Sequence, residues 1–548
     1  IDGFDGDGIK IDTAGGNTIV GCRVGTNAGG TAARGNVRQG IEINGGSANG
    51  VGGNVIGGTT PAARNLISGN GLIGVFVIGS NGNVIEGNRI GTNAAGTAAL
   101  PNTNHGIEIF GAKSNLVGGS VAGAGNLISG NGGSGVALED IFNFTSTSGN
   151  VVQGNMIGTN AAGTAALGNT QDGINFSDFP EHTLIGGTTP EARNVISGNG
   201  RDGIYVGVNQ VGAYETITGN FIGTDVTGSV AIPNHQDGID LDAARNNLIG
   251  GTTPGSGNVI SGNLRDGIRL ENNFGPPEDA RNNVIRGNLI GTNAAGTAAL
   301  GNLVGVHDLF QHDLTVGGTA HGAGNVISGN AIGVQLQATD SVVQGNRIGT
   351  DITGTAAIPN ESDGVVVNGE QDLVGGAVKG AGNVIAFNGP SIVGGNGVLV
   401  KNGSAVTIEG NSIFSNSILG IDLGDDGVTP NDPGDADAGD NDLQNFPTIQ
   451  SAKSNSTVTH VVGRLSTDPN TSFVVELFSS PTCDDSGNGQ GQRFLGRTDV
   501  NTDGTGVGSF DLKFQVATRV GNRITGTATS PGGSTSEFSA CKKVVNGS

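Results

Sequence analysis

A stretch of 16 residues, GNRIGTNAAGTAALPN at 87–102, recurs along the chain and constrains its fold more than any other feature. Its further copies, the first of them divergent, lie at 21–36, 154–169, 219–234, 287–302 and 345–360. The glycine of the GT[ND] motif falls at 25, 91, 158, 223, 291 and 349, so the steps are 66, 67, 65, 68 and 58 residues. Self-similarity at such a period is typical of a solenoid, in which each unit stacks on the next.

Between the copies, short segments of the pattern G-[IV]-x-[IVL] alternate apolar and polar residues, as in Ile107 and Ile109 or Ile239 and Leu241. Period two predicts strands. Each long repeat contains two coils, and three short strands per coil bury an apolar face only when coils stack. The sequence therefore predicts an all-β fold, a parallel β-helix of about 14 coils. We expect it to be right-handed, because parallel crossovers almost always are.

An asparagine follows glycine at the same point of five repeats. These residues are Asn88, Asn155, Asn220, Asn288 and Asn346. Stacked at the inter-strand spacing of roughly 4.8 Å, their side-chain amides can hydrogen-bond along the column, so we predict an asparagine ladder. Cys22 occupies this position in the first copy. We expect it to be a small buried residue, as cysteine commonly is.

Charge excludes some classes of partner. The 548 residues carry a formal net charge of −22, with 26 Lys and Arg. Nucleic acids and anionic membranes need basic patches, so neither is an expected partner. No apolar run reaches the length of a membrane span. Ile1 starts in the middle of the repeat pattern, from which we expect that a leader has been removed.

The C-terminal region has a different composition. Coils are expected over 1–424, an Asp-, Gly- and Pro-rich linker over 425–447, and a β-sandwich over 448–548, where longer alternating segments are separated by turns. Cys483 and Cys541 both lie in the last region and are predicted to form a disulfide, which suits a secreted, extracellular protein.

Residues 1–424 resemble the right-handed parallel β-helix repeat proteins of the pectate-lyase-like superfamily, through the serial G-[IV]-x-[IVL] and N-x-I-x-G-N units. The segment GIDLGDDGVTPNDPGDADAGDNDLQNFP, with ELFSSPTCDDSGNGQGQRFLG and TSEFSAC, resembles the junction and terminal Ig-like domain of large secreted bacterial surface proteins. The superfamily includes lyases, hydrolases, adhesins and structural rods, so the resemblance implies a fold and leaves the activity open. The NTD, DD, GHG and RIK motifs of polygalacturonase-like members do not occur together here.

Carboxylates precede the strand in four successive coils and are expected to stack. They are Asp172, Asp202, Asp237 and Asp266. The outward positions that follow add Tyr205, Asp240, Asp242, Arg269, Glu271, His307 and Asp308. Paired carboxylates cleave glycosidic bonds, and Arg269 is a candidate base for a lyase. The alternative is structural, because Asp-Gly is a good turn pair before a strand.

The linker offers a possible calcium site. Its candidate ligands are Asp432, Asp435, Asp437, Asp440 and Asp442, and Asp425 and Asp426 lie nearby in sequence. Oxygen ligands at alternate positions around a glycine suit a hard cation. The alternative is a solvated acidic linker.

Near-identical loops, with NAAGTAAL three times, favour an extracellular structural or adhesive protein of the cell surface over an enzyme. The first coil presents open strand edges, so head-to-tail contact with the sandwich of another copy is expected to give filaments. A polysaccharide-active lyase or glycoside hydrolase using Asp237, Asp240, Asp242, Asp266 and Arg269 is the main alternative, and a glycan-binding module without catalysis is the second.

Overall fold

The structure is a computed structural model that describes residues 1–46, 51–140, 147–178, 180–207, 214–273, 280–390 and 394–547. These residues form 48 strands, numbered β1–β48 in chain order, and two short 3-10 turns at Pro190–Ala192 and Asp440–Leu443. The chain divides into two compact units. The first unit contains 1–296 and 300–311, and the second contains 297–299 and 312–548.

Every third strand belongs to the first of three parallel sheets, which has 14 strands within the described residues. Its strands are β1 (Ile9–Ile11), β4 (Ile41–Asn44), β7 (Val75–Ile78), β10 (Ile107–Phe110), β13 (Val136–Glu139), β16 (Ile174–Ser177), β19 (Ile204–Gly207), β22 (Ile239–Asp242), β25 (Ile268–Glu271), β28 (Val304–Asp308), β31 (Ile332–Leu336), β34 (Val365–Val367), β37 (Val398–Val400) and β40 (Ile421–Leu423).

The second sheet has 13 strands among the residues described. They are β2 (Thr18–Ile19), β5 (Val55–Gly57), β8 (Val84–Glu86), β11 (Leu116–Gly118), β14 (Val151–Gln153), β17 (Leu184–Gly186), β20 (Thr216–Thr218), β23 (Leu248–Gly250), β26 (Val284–Arg286), β29 (Thr315–Gly317), β32 (Val342–Gln344), β35 (Leu373–Gly375) and β38 (Thr407–Glu409).

The third sheet also has 13 strands in the described part of the chain. They are β3 (Arg23–Val24), β6 (Leu66–Ile67), β9 (Arg89–Ile90), β12 (Leu127–Ile128), β15 (Met156–Ile157), β18 (Val195–Ile196), β21 (Phe221–Ile222), β24 (Val259–Ile260), β27 (Leu289–Ile290), β30 (Val326–Ile327), β33 (Arg347–Ile348), β36 (Val384–Ala386) and β39 (Ser412–Phe414). The predicted right-handed parallel β-helix of about 14 coils is confirmed.

The interior of the coils is formed by the alternating apolar residues. Ile107 pairs in register with Val136, and Ile109 with Leu138, and all four are fully buried. Residues between them, such as Glu108, point outward from the same sheet, because successive side chains of a strand face opposite sides. The outer surface of the first sheet therefore carries the variable residues.

Asparagine ladders run along the turns. In the first unit, the amide of Asn88 donates to Asn126 Oδ1 at 3.0 Å, and Asn126 donates to Asn155 Oδ1 at 2.9 Å. Neighbouring members of the predicted set are thus two coils apart. Within a unit, an asparagine of the intervening coil lies between them and bonds to both, as Asn126 does between Asn88 and Asn155. The residues that the prediction lacked are Asn65, Asn126, Asn194, Asn258, Asn325, Asn383 and Asn411.

A second ladder lies at the turn after the third sheet. It includes Asn36, Asn70, Asn102, Asn131 and Asn169 in the first unit. In the second unit it continues from Asn330 to Asn416. The sequence signal was present, since an asparagine ends both the SGN and the LPN or LGN segments.

Within the second unit, the chain ends in a β-sandwich of two four-stranded sheets. One sheet has the order β45 (Val507–Phe514), β42 (Thr459–Ser466), β41 (Thr448–Ser454) and β48 (Val545–Asn546). The other has the order β44 (Arg493–Asn501), β43 (Ser472–Ser480), β46 (Arg523–Thr529) and β47 (Lys542–Lys543). Both sheets contribute to one core, which includes Val461, Phe473, Leu477 and Ile524.

The sandwich covers the open edge of the last coils. Glu476 Oε2 accepts from the backbone N–H of Gly410 at 2.8 Å, and Thr535 Oγ1 accepts from that of Ile408 at 2.9 Å. The chain's own sandwich therefore occupies this edge, which would otherwise be a template for strand pairing.

Within the described residues, no helix has the length and apolar character that crossing a bilayer requires.

Candidate functional site

The outer surface of the first sheet carries the charged residues of the first unit. Tyr205 of β19 pairs in register with Asp240 of β22, which pairs with Arg269 of β25, which pairs with His307 of β28. Two residues further along the same strands, Asp242 pairs with Glu271. We call these six residues, with Asp172, Asp202, Asp237 and Asp266, the acidic face.

The four aspartates that precede the strands form a ladder of their own. Asp172 Oδ1 accepts from the backbone N–H of Asp202 at 3.1 Å, and Asp202 Oδ1 accepts from that of Asp237 at 2.8 Å. Asp237 Oδ1 accepts from that of Asp266 at 2.7 Å. One oxygen of each carboxylate therefore has a structural role, as acceptor for the backbone of the next coil, while the other oxygen is left for different contacts.

Elsewhere in the first unit, a histidine and a further aspartate make the same kind of contact. His105 Nδ1 accepts from the backbone N–H of Ser134 at 3.0 Å, and Asp7 Oδ1 accepts from that of Gln39 at 3.1 Å. An imidazole nitrogen thus replaces a carboxylate oxygen at this position. A run of four aspartates exceeds what the turn alone requires.

Three carboxylates converge in the middle of the acidic face. Asp202, Asp237 and Asp240 each place an oxygen within 4.8 Å of the others. Their exposed fractions are only 1%, 1% and 6%. Asp237 Oδ2 and Asp240 Oδ1 are buried without a hydrogen-bond partner among the described residues. Burying like charges in this way is costly, because each ion loses hydration and repels its neighbours.

The unfavourable free energy of burying these charges raises the pKa of all three carboxyl groups. Burial raises the pKa of Asp202 to about 7 and that of Asp237 to about 6. Burial, with the charge of Glu271 next in size, raises the pKa of Asp240 to about 9. Asp240 is therefore a neutral carboxylic acid at pH 7, held beside ionised groups.

Arg269 lies over this cluster and is paired. Its Nε and Nη2 lie 2.8 and 2.7 Å from Glu271 Oε2, and its Nη1 lies 3.8 Å from Asp266 Oδ2. Burial acts to lower the pKa of Arg269, but the hydrogen bond and charge of Glu271 outweigh it and raise the pKa. A guanidinium held in this state stays charged, which argues against Arg269 as the base of a lyase.

His307 and Tyr205 flank the centre of the face. His307 Nδ1 lies 2.7 Å from Asp266 Oδ2, so the carboxylate fixes the orientation of the ring. Tyr205 donates its hydroxyl to Asp242 Oδ2 at 3.5 Å, and the backbone N–H of Asn273 donates to Asp242 Oδ1 at 2.8 Å. These contacts orient an aromatic ring and an imidazole beside the carboxylates.

Asp308 differs from the prediction. It pairs with Leu270, an inward position, and is fully buried, so it is not part of the acidic face. Its Oδ1 accepts from the backbone N–H of Gln311 at 3.0 Å. The G-[IV]-x-[IVL] pattern places apolar residues at this inward position, so the prediction that grouped Asp308 with the outward residues is wrong.

Glu108 and Glu139 are acidic residues of the same outer surface that the sequence interpretation did not select. Burial raises the pKa of Glu108 to about 7, and burial also raises the pKa of Glu139. Their signal was available, since the strand register that predicts Asp240 on this surface also predicts Glu108.

The linker aspartates separate into two groups. Asp432, Asp435 and Asp437 each offer an oxygen within 4.8 Å of the others. Asp440 Oδ1 instead accepts from the backbone N–H of Asn402 at 2.6 Å, and Asp442 Oδ2 accepts from Ser534 Oγ at 2.6 Å. The five predicted ligands therefore do not form one site.

Asp435 is already engaged by protein donors. Its Oδ1 accepts from the backbone N–H of Asn445 at 2.9 Å, and its Oδ2 accepts from Gln444 Nε2 at 2.6 Å and from the Thr467 hydroxyl. Burial raises the pKa of Asp435 to about 6. Calcium binding by Asp432, Asp435 and Asp437 stays a prediction.

The cysteines are placed as follows. Cys483 and Cys541 are joined by a disulfide that spans 58 positions of the sequence. Cys22 is half-buried, not fully buried as expected, and has a free thiol. Its backbone N–H donates to Asn65 Oδ1 at 2.9 Å, so the backbone joins the ladder where the side chain does not.

Fold and site together define a right-handed parallel β-helix protein with a C-terminal β-sandwich and an acidic face on its first sheet. No protein-family model matches the chain. No curated protein matches it either. Among solved structures, the A-module of the mannuronan C-5 epimerase AlgE4 from Azotobacter vinelandii is similar at 11% identity, covering 72% of this chain and 89% of that chain with a TM-score of 0.23. A TM-score this low carries no argument, so the fold rests on the sheets described above.

Proposed function

We propose that the protein is a secreted polysaccharide-active enzyme, and that the acidic face is its active site. The observation that carries this proposal is the buried cluster of Asp202, Asp237 and Asp240, in which Asp240 Oδ1 has no hydrogen-bond partner among the described residues and Asp237 Oδ2 has only an ion pair with Arg265 Nη1 at 3.8 Å. A protein that only stacks coils does not require such a cluster, since Glu42, Phe76 and Asn175 occupy the register position of Asp240 in other coils of the first unit. Strongly perturbed carboxylates on an outer surface are typical of catalytic sites.

The chemistry follows from the two kinds of carboxyl group. Asp240, protonated at neutral pH, donates a proton to the glycosidic oxygen of the leaving sugar. Glu271 is its partner carboxylate, and because Arg269 bonds to Oε2, Oε1 is the oxygen that accepts a proton from the attacking water. An acid and a carboxylate base are what hydrolysis of a glycosidic bond requires.

Asp202 and Asp237 help to keep Asp240 protonated and do not themselves transfer a proton to the substrate. After burial and Glu271, their charges are the further causes that keep Asp240 protonated. The face has more carboxylates than cations and repels an anionic polysaccharide, so we take a neutral polysaccharide as the substrate.

The test is release of reducing ends from a panel of neutral polysaccharides by the full chain. Asp240→Asn and Glu271→Gln are each expected to lower the rate by about 10²–10⁴-fold, the usual contribution of a general acid or base. Glu42→Gln is the matched control, because Glu42 lies on the same outer surface in a distant coil. Absence of new reducing ends from every substrate, or equal rates in all variants, would refute the proposal.

A structural or adhesive role at the cell surface is a second candidate, with other copies of the chain or surface polysaccharide as partners and with an Ig-like C-terminal domain. The regularity of the coils favours it: the loops at 92–100, 159–167 and 292–300 have the same sequence. Electron microscopy of the purified chain tests this role. Filaments with one solenoid per subunit would support it, and single particles at every concentration would count against assembly.

A further inference from the structure

A cavity of about 600 Å³ lies within the second unit, where the last coils meet the sandwich. Its apolar part is formed by Phe387 and Phe414, whose rings pack edge to face with centroids 5.5 Å apart. Its polar part is formed by hydroxyl, amide and carboxylate groups, including Ser417, Gln492 and Asp484. A volume of this size is typical of small-ligand sites.

The two phenylalanines interrupt the repeat. The segment NVISGN at 325–330 becomes NVIAFN at 383–388 and NSIFSN at 411–416. Phe387 therefore occupies the position of Gly329, and both have a positive φ, 64° and 79°. A bulky residue in this region is strained and persists where the surroundings or a function require it. The chain thus accepts backbone strain at the point where it places an aromatic ring in the cavity.

The surroundings of the rings are held in place. Gln490 Nε2 donates to Asp484 Oδ2 at 3.0 Å, and Ser480 Oγ accepts from the backbone N–H of Gln492 at 3.1 Å. The disulfide of Cys483 fixes the loop that carries Asp484. The site is therefore built before any ligand arrives, which reduces the entropy cost of binding.

We propose that this cavity binds a short stretch of a neutral glycan. Aromatic rings pack against the C–H faces of a sugar, and hydroxyl, amide and carboxylate groups bond to its hydroxyls. None of the described residues that line the cavity is Lys or Arg, and Asp484 and Asp485 give it negative charge. An acidic sugar would be repelled. The inference goes beyond the proposed active site, because it assigns a separate binding site to the second unit.

The test is isothermal titration calorimetry of the full chain with neutral hexasaccharides of the cello-, laminari-, xylo- and manno-oligosaccharide series. Asp240→Asn serves as the background, so that the ligands are not consumed and the result does not depend on the proposed activity. At least one series should bind, and Phe387→Gly and Phe414→Ser should each weaken its binding by about tenfold or more, as loss of an aromatic anchor does.

The two substitutions restore the residues of the other repeats. Phe387→Gly also removes the strained φ, so a folded protein is expected. Phe310→Ala is the control, because Phe310 is 59% exposed and lies outside the cavity. Binding by none of the four series, binding only of galacturonate or glucosamine oligomers, or equal affinity in the folded Phe387→Gly variant would each overturn the proposal.

Discussion

Gln490 of the sandwich terminates an asparagine ladder of the coils. Its Oε1 accepts from the backbone N–H of Asn416 at 3.0 Å and from the side-chain amide of Asn416 at 3.2 Å. Its Nε2 donates a hydrogen bond to the backbone carbonyl oxygen of Asn416 at 2.8 Å. A residue from another domain thus supplies the partner that the next coil would have supplied.

Gln490→Ala is expected to destabilise the second unit by about 1–3 kcal/mol, because it removes the acceptor of the buried backbone N–H of Asn416. Urea unfolding followed by circular dichroism measures the effect. Gln171→Ala, at an exposed position, is the control and should be near neutral. A loss as small as in the control would show that the ladder needs no terminal partner.

Asp240→Asn is expected to increase stability at pH 8 while it lowers the proposed activity by about 10²–10⁴-fold. The folded pKa of Asp240 is raised to about 9, so the folded state keeps a proton that the unfolded state releases near pH 4. Stability therefore falls as pH rises from about 4 to 9, and asparagine removes this loss. The expected gain at pH 8 is about 5 kcal/mol, because about 1.4 kcal/mol is lost for each pH unit above the unfolded pKa, and there is little difference near pH 4.

Urea unfolding of wild type and Asp240→Asn at pH 4, 6 and 8 gives, for each protein, the slope of the free energy of unfolding against pH. Equal slopes would show that Asp240 is not protonated in the folded protein, and would remove the general acid from the proposed mechanism.

Asn155→Ala is expected to cost about 2–4 kcal/mol, since it removes several buried hydrogen bonds at once. Asn155 Oδ1 accepts from the Asn126 side chain at 2.9 Å, and Asn155 Nδ2 donates to Asn194 Oδ1 at 3.0 Å. Asn155→Asp would keep an acceptor but lose the donor, so its cost should fall with acidification. Thermal melts of both variants at two pH values test the ladder.

Reduction of the disulfide is expected to destabilise the sandwich by about 2–5 kcal/mol, because an open chain gains entropy when it unfolds. Cys483→Ser with Cys541→Ser should reproduce the effect without reductant. Cys22→Ser should not, since that thiol is free. Melting curves in the presence and absence of dithiothreitol provide the measurement, and coincident curves would contradict the expectation.

The coil architecture could be predicted because each coil repeats one pattern. Alternation at Ile107 and Ile109 indicates an inward face, and the recurrence indicates stacking. The ladder was predicted only in part, because the long repeat conceals that Asn126 of the intervening coil has the same structural position as Asn88.

The candidate site depends on features that the sequence does not display. The stacking of Asp202 and Asp237 was predictable, but the convergence of Asp240 on them and its raised pKa require three-dimensional burial. Asp308 shows the opposite case, a charged residue that the prediction placed on the outer surface and that the strand register places inside. The cavity at Phe387 joins segments about a hundred residues apart and had no sequence signature as a site.

The ladder of Asp172, Asp202, Asp237 and Asp266 has an evolutionary consequence. The carboxylates of Asp172, Asp202 and Asp237 accept from the backbone of the next coil, as that of Asp7 does, and His105 makes the same bond with a ring nitrogen. The hydrogen bond forms equally with a carboxylate oxygen or with an imidazole nitrogen as the acceptor. Whole coils could therefore be duplicated, deleted or exchanged by recombination without breaking the stack, and a reactive group would move with its coil to a new height on the same surface. In such a protein, the coil and not the residue is the unit by which chemistry is inherited.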